Sequence, residues 1–232
     1  MHKTTVVAFD KTDTTTEGVL APRSFSAQTS LKNVQPDARV SVDRIRPSAK
    51  EVVAKLRTLG LRTVMIAFDK TEVAELIAAE VGIDEFFVEV LPDQKAEIVK
   101  KLQRVDGEKT HVVVFVGDGI NDAPALATAD VGITVRTGTD VATQSADVVL
   151  VQDDLGAVVR AIELSRRTIR NIKQSLFWAF GYKCLEYQLR LDYLLYTFGG
   201  PLLNPMVAAL MMTLSSLCVL LNALRLKYSR SL

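Results

Sequence analysis

The chain has 232 residues, enough for one or two domains, and its 28 basic and 27 acidic side chains nearly cancel to a formal charge of +1. That balance excludes a partner recruited by charge alone, so no nucleic acid is expected. A hydrophobic fraction of 48% with mean hydropathy of +0.19 is high for a purely soluble chain. The two cysteines, Cys184 and Cys218, sit in the most apolar part of the sequence. This argues against a disulfide framework and fits a reducing, cytosolic side. The opening residues MHKTTVVAFD lack the apolar core of a signal peptide.

In chain order, TTVVAF (4–9) predicts a β-strand that runs into DKTDTTTEG, starting at Asp10. The polar stretch 21–43 has no sustained period and is expected to be a linker or loop. Helical spacing follows at 47–60, then a strand at 62–68, a helix at 71–82, a strand at 85–90 and a helix at 92–103. A strand at 111–116 leads into GDGINDAPALA, whose second half predicts a helix over 121–130. The strand 131–135, the helix 139–146 and the strand 147–151 complete the pattern. Strand–helix alternation at this spacing predicts a doubly wound parallel sheet with helices on both faces. The ligand site of such a sheet lies beyond the carboxyl ends of its strands, where Asp10, Asp69 and Asp118 fall.

Beyond Gly156 the sequence becomes one long helical run whose middle is basic, with Arg166, Arg167, Arg170 and Lys173. From 193 to 224 there is no Asp, Glu, Lys or Arg, which is long enough for a membrane span. The segment 175–195 is apolar but carries Lys183, Glu186, Arg190 and Asp192, so a second span must offset charge with charge. Basic residues on both flanks predict a hairpin with both ends in the cytoplasm. The expected domains are therefore 1–154, an α/β domain with 21–43 as a short linker, and 155–232, a stalk helix and two transmembrane helices.

Asp10 is of the residue type that serves as a carboxylate nucleophile in phosphoryl transfer. Asp118 in GDG can share Mg²⁺ with it, since Mg²⁺ prefers hard oxygen ligands. Lys95 in LPDQK can neutralise charge on the nucleophile and the phosphoryl group. A lone strand-end aspartate is usually a helix cap and a lone GDG usually a turn; it is their combination on one sheet that signals a site.

These segments resemble the C-terminal part of heavy-metal-transporting P-type ATPases of the copper type. The family's phosphorylation signature DKTGTLTEG appears as DKTDTTTEG, and its hinge signature GDGINDAPALA is intact. The resemblance implies a haloacid-dehalogenase-like (HAD-like) phosphorylation domain with Asp10 phosphorylated by ATP. It implies Asp10, Thr12 and Asp118 as the Mg²⁺ positions, Lys95 against the aspartyl phosphate, and Asp69, Asn121 and Asp122 completing the site. In the membrane part it places Tyr182, Met212 and Ser216 on the path of a soft ion such as Cu(I), a thioether being a fitting ligand. The implied location is a bacterial or archaeal cytoplasmic membrane, with lipid as partner and the HAD-like domain in the cytoplasm.

The departures from the family pattern are specific. No nucleotide-binding domain stands between the phosphorylation motif and the rest of the sheet, and no actuator domain is present, so another chain supplying them is an expected partner. The Thr-Gly-Asp motif reads Ala67-Phe68-Asp69, Asp13 replaces a glycine, and Lys183 stands at an asparagine position. The resulting expectation is a truncated copper-type ATPase with impaired activity in this chain alone. The alternatives are a Mg²⁺-dependent HAD-type phosphatase and a non-catalytic membrane-bound subunit or remnant.

Overall fold

The computed structural model describes residues 1–23, 40–68, 71–105, 107–117, 120–135, 140–151, 154–190 and 205–228. Asp69 and Asp118 lie outside them. The elements of the first part are β1 (Val6–Asp10), a single π-helical turn (Lys11–Thr15), β2 (Thr16–Arg23), β3 (Val40–Ile45), α1 (Ala49–Thr58), β4 (Arg62–Ile66), α2 (Thr71–Val81), β5 (Glu85–Phe87) and α3 (Pro92–Gln103). The short β6 (Arg104–Val105) and β7 (Glu108–Lys109) follow, then β8 (Val113–Gly117), a 3₁₀ turn (Ile120–Asp122), α4 (Ala123–Thr128), β9 (Val131–Val135), α5 (Asp140–Ser145) and β10 (Val148–Leu150).

Six strands form one sheet in the order β10-β9-β8-β1-β4-β5, every neighbouring pair parallel. The chain starts in the middle at β1, steps outward through β4 and β5, then returns to the other side of β1 with β8. The direction of winding therefore reverses between β1 and β8, and a crevice opens at such a reversal beyond the strand ends.

Strand alternation divides the apolar side chains between two cores. On one face Val7, Phe9, Met65, Val114 and Val116 pack against Val52, Val53 and Leu56 of α1, Ala74, Ile77 and Val81 of α2, and Leu155, Val158, Val159 and Ile162. On the other, Val6, Ala8, Val64, Ile66 and Phe115 meet Ile98, Val99 and Leu102 of α3 and Ala125 and Leu126 of α4. The central strands β1 and β8 are buried along their whole length, which is why they read as unbroken β-branched and aromatic runs. At Gly132 an added Cβ would lie 2.6 Å from the Leu126 carbonyl oxygen. Glycine there lets α4 seat directly on β9.

Two features depart from the sequence reading. The ends of the stretch 21–43 are strands: β2 and β3 pair antiparallel, with Ala21 opposite Val42 and Arg23 opposite Val40. The alternation in VSVDRI carried that signal; its polar surroundings concealed it. Likewise Arg104–Val105 and Glu108–Lys109 make a two-stranded ribbon turned at Gly107, where φ is +85°.

The chain divides into a unit spanning Met1–Ile162 and a second spanning Glu163–Leu232. The long helix α6 (Gly156–Arg190) starts in the first unit and continues into the second, which also holds α7 (Pro205–Tyr228). Within that second unit Asn222 of α7 donates to the Asn171 carbonyl at 3.3 Å and to Ser175 Oγ at 2.9 Å. Among the described residues no helix is long and apolar enough to cross a membrane. The expected hairpin of two spans is not shown: Lys183, Glu186 and Arg190 interrupt the apolar part of α6, and residues 191–204 of the expected spans lie outside the described residues.

Candidate active site

Three charged side chains from three elements meet at the crevice. Asp10 ends β1, Lys95 stands in the first turn of α3, and Asp122 precedes α4 as its N-cap residue. Lys95 Nζ donates to Asp10 Oδ1 and to Asp122 Oδ1, each at 2.6 Å. All three are buried, with relative exposures of 7% for Asp10, 6% for Lys95 and 1% for Asp122. Burial alone would lower the lysine pKa. The charges of Asp10 and Asp122 and their hydrogen bonds outweigh it and hold Lys95 above the ordinary lysine value, so it remains a cation.

The local structure at each residue favours this cluster over the residue's usual role. A lysine in a helix's first turn opposes the macrodipole. Here Pro92 opens α3 in its preferred first position and Gln94 Oε1 accepts the Leu91 N–H at 3.2 Å, so the turn forms despite the misplaced cation. An aspartate at an N-cap ordinarily accepts a hydrogen bond from the following turn. Asp122 makes no such cap bond, and its carboxylate goes to Lys95. Gly117 makes room for it: a Cβ there would lie 2.7 Å from Asp122 Oδ2.

The turn after the nucleophile candidate is held by threonines that the sequence reading passed over. Thr15 Oγ1 donates to the Asp10 carbonyl at 2.8 Å, and Thr16 Oγ1 to the Lys11 carbonyl at 3.1 Å. Arg46 then clamps the turn from outside, its N–H donating to Thr15 O at 3.1 Å and its Nε to Thr16 O at 3.2 Å. Lys11 is buried here too. The Thr14 hydroxyl is fully buried and, with Thr134 Oγ1, has no hydrogen-bond partner among the described residues. The run of three threonines was the available signal, since hydroxyls that bond nearby carbonyls favour turns.

The remaining expected residues fall in different places. Asn121 is exposed in the 3₁₀ turn beside Asp122. Thr12 lies in the π-helical turn, and its side chain is outside the described set, as is that of Tyr182 in α6. Ala67 is buried, its N–H donating to Phe87 O at 2.9 Å and its carbonyl accepting from Val90 at 3.1 Å, while Phe68 is 65% exposed. On α7 both Met212 and Ser216 are exposed, and the Ser216 hydroxyl donates to the Met212 carbonyl at 3.2 Å. The cluster of Asp10, Lys95 and Asp122 is thus brought together within the described residues; Asp69 and Asp118 are outside them.

Comparison with known proteins follows the same lines. Residues 25–130 match the family of haloacid dehalogenase-like hydrolases. The chain is 51% identical over 185 residues to copper-transporting ATPase 1 of Rhizobium meliloti, covering 80% of this chain and 22% of that protein. It is 45% identical over 194 residues to copper-exporting P-type ATPase B of Archaeoglobus fulgidus, covering 83% and 27%. Its homologues include copper-exporting P-type ATPases. The chain spans about a quarter of their length. Among solved structures it resembles a zinc-transporting PIB-type ATPase in its E2.Pi state, with a TM-score of 0.76 and 25% identity over 97% of this chain and 50% of that one. A cobalt-bound octulosonate 8-phosphate phosphatase of Haemophilus influenzae shares the fold at a TM-score of 0.55 and 15% identity, over 71% of this chain and 90% of that one. The parallel sheet is HAD-like.

Proposed function

We propose that this chain carries the phosphorylation domain of a heavy-metal P-type ATPase, with Asp10 as the residue that accepts the phosphoryl group of ATP. The observation that carries the reading is the Lys95 ammonium held between the buried carboxylates of Asp10 and Asp122. In the transfer, an Asp10 carboxylate oxygen forms a bond to the γ-phosphorus. The bond from that phosphorus to the bridging oxygen breaks, and ADP leaves with its electron pair. Lys95 neutralises the nucleophile so that an anionic donor can approach, and then stabilises charge on the transferring oxygens. Asp122 fixes the ammonium, and Gly117 fixes Asp122.

The site fits Mg²⁺. Asp10 brings a hard carboxylate, Thr14 adds a buried, unpartnered hydroxyl in the turn that follows, and Asp118 comes next after Gly117 on the strand beside β1. Asp10, Thr12 and Asp118 are the residues proposed to hold it. When bound, Mg²⁺ supplies positive charge to the phosphoryl oxygens. The transported ion is proposed to be Cu(I) or a similarly soft cation, on the strength of the homologues' names and of the exposed Met212 thioether. Tyr182 and Ser216 are proposed beside it.

The second unit is proposed to lie in the membrane and the HAD-like unit in the cytoplasm. Support comes from the uncharged sequence 193–224 and from the exposed Met206, Leu214, Leu217 and Leu220 of α7. A domain-supplying partner chain is proposed because only 24–39 separates β2 from β3, too short a connection for a nucleotide-binding domain. The same connection favours the second reading, a phosphatase acting on small phosphate esters.

The test is acid-quenched labelling of the purified full chain with γ-labelled ATP or with acetyl phosphate, in Mg²⁺. The expected product is a weak, hydroxylamine-sensitive phosphoenzyme that Asp10→Asn abolishes. Label that survives Asp10→Asn refutes the nucleophile. Steady release of phosphate from p-nitrophenyl phosphate, without response to ATP, favours the phosphatase.

A further inference from the structure

The second unit combines a basic stripe, an aromatic band and one interhelical contact. From 164 to 184 the sequence holds Arg166, Arg167, Arg170, Lys173 and Lys183 but no acidic residue, and α7 has none either. Arg167, Arg170 and Lys173 are exposed. One to two turns farther along, Phe177, Trp178 and Phe180 are exposed as well, the first two in an edge-to-face contact with ring centroids 6.0 Å apart. Arg167, Arg170, Lys173, Phe177 and Phe180 recur every three or four residues and so share a stripe of α6. Asn171 and Ser175, which meet Asn222, lie on a different one.

The Asn222 contact also sets a level on α7. It lies equally far along the sequence from the end of α6 at Arg190 and from the start of α7 at Pro205, as in an antiparallel pair. Arg225, exposed and one turn past Asn222, then falls at the level of Arg167 and Arg170. Arg167, Arg170 and Arg225 gather on one side of the contact, Lys173 lies at its level between Asn171 and Ser175, and the aromatic side chains stand on the other side.

We propose that Arg167, Arg170, Lys173 and Arg225 form a collar that binds the phosphate headgroups of anionic phospholipids, with Phe177, Trp178 and Phe180 seated just beneath at the headgroup–acyl boundary. The inference rests on the reading that the second unit enters a bilayer. Charge complementarity selects the occupant. Glu163 stands one turn before Arg167, but Arg170, Lys173 and Arg225 have no acid within a turn on their own helices, and this surplus of positive charge matches a negatively charged leaflet. The aromatic rings one to two turns away, Trp178 with its polar N–H among them, match the interface at which aromatic side chains gather. The consequence is regulatory: the amount of anionic lipid sets how firmly the helix pair is held at its depth.

Trp178 is the sole tryptophan of the chain and reports directly on this depth. The full chain in mild detergent is titrated with vesicles of phosphatidylcholine, with or without a minority of phosphatidylglycerol, bearing brominated acyl chains. Bromine quenches Trp178 on contact. Each cation near an anionic surface contributes about a fivefold gain in binding. The triple substitution Arg167→Gln, Arg170→Gln, Lys173→Gln is therefore expected to weaken binding to the phosphatidylglycerol vesicles roughly a hundredfold. Binding to pure phosphatidylcholine should be unchanged. Arg167→Lys with Arg170→Lys should keep the preference, and high salt should erase it. Equal quenching by both vesicles, unaltered by the triple substitution, overturns the collar while leaving bilayer entry intact. No quenching by either overturns both.

Discussion

Replacing Lys95 by methionine tests whether the buried charge cluster is built for chemistry at the expense of stability. The substitution keeps the length of the side chain and deletes one cation that touches two carboxylates at 2.6 Å. Removing one partner of a buried ion pair typically costs about 3–5 kcal/mol, because the remaining charge stays buried and uncompensated. Here two carboxylates stay behind, so the upper part of that range applies. Because the folded-state pKa of Lys95 is raised above 10.5, its contribution is fully present at neutral pH and is lost only as pH climbs through the folded value. Hydrogen exchange of the β1 and β8 amides is the assay, since these strands flank the site and are central to the sheet. A loss of about 3–5 kcal/mol speeds exchange through global opening by roughly a hundred- to several-thousandfold. Adding Asp122→Asn to Lys95→Met should recover part of it. A change below about tenfold at pH 7, or a double variant worse than the single, would refute the account of buried, mutually dependent charges.

Other substitutions probe the supports of the site. Gly117→Ala places a methyl 2.7 Å from Asp122 Oδ2 and should displace that carboxylate from Lys95, lowering phosphoenzyme formation about tenfold or more and also destabilising the first unit, because a buried ion pair is parted. Gly132→Ala meets the Leu126 carbonyl at 2.6 Å, a backbone atom that cannot swing away, and should destabilise the first unit by about 1–3 kcal/mol in a denaturant melt. At Asp84, burial would raise the carboxyl pKa, but hydrogen bonds from Arg57 and Thr63 outweigh it and set it below 3.8. Its contribution is therefore present above that value and lost as pH falls through the folded pKa, and Asp84→Ala should flatten acid unfolding in that window by about 1 kcal/mol.

Much of the sheet was legible because its signal is local. The strands β1 and β8 are buried along their whole length and β4 beyond Arg62, so Val6–Phe9, Val64–Ile66 and Val113–Val116 read as unbroken apolar runs, and the helices between them repeat apolar residues at three and four. Asp10 and Lys95 could be named as associated residues, but the geometry of their contact could not be read: they are 85 residues apart and meet because α3 docks beside β1. The threonine clamp was missed for the opposite reason. Thr15 and Thr16 act within five residues, yet hydroxyl-to-carbonyl bonds leave no periodicity to read. The pairing of β2 with β3 was hidden because it joins segments on either side of a polar stretch, where only the alternation of Val40 and Val42 hints at a strand.

The charge of the cluster bears on how it would act. Asp10 and Asp122 contribute two negative charges and Lys95 one positive, so the three together are anionic, and they are shielded from water. A phosphate ester is itself an anion, and in a site of low effective dielectric like charges a few ångströms apart repel by several kcal/mol. Lys95 is already committed to both carboxylates, so the triad by itself presents no surplus positive charge to a phosphate. The phosphoryl transfer proposed at Asp10 would need more positive charge than these three residues provide, from the buried Lys11 that follows Asp10 or from the divalent cation proposed above. Two departures from the family's motifs bear on the same question: Asp13 adds a negative charge to the phosphorylation segment, and Phe68, which is exposed, stands where the family has glycine. Asp13→Gly with Phe68→Gly should then raise the phosphorylation rate while leaving its dependence on Asp10 intact. A double variant no faster than the parent chain would mean that access and local charge are not what restrain this site.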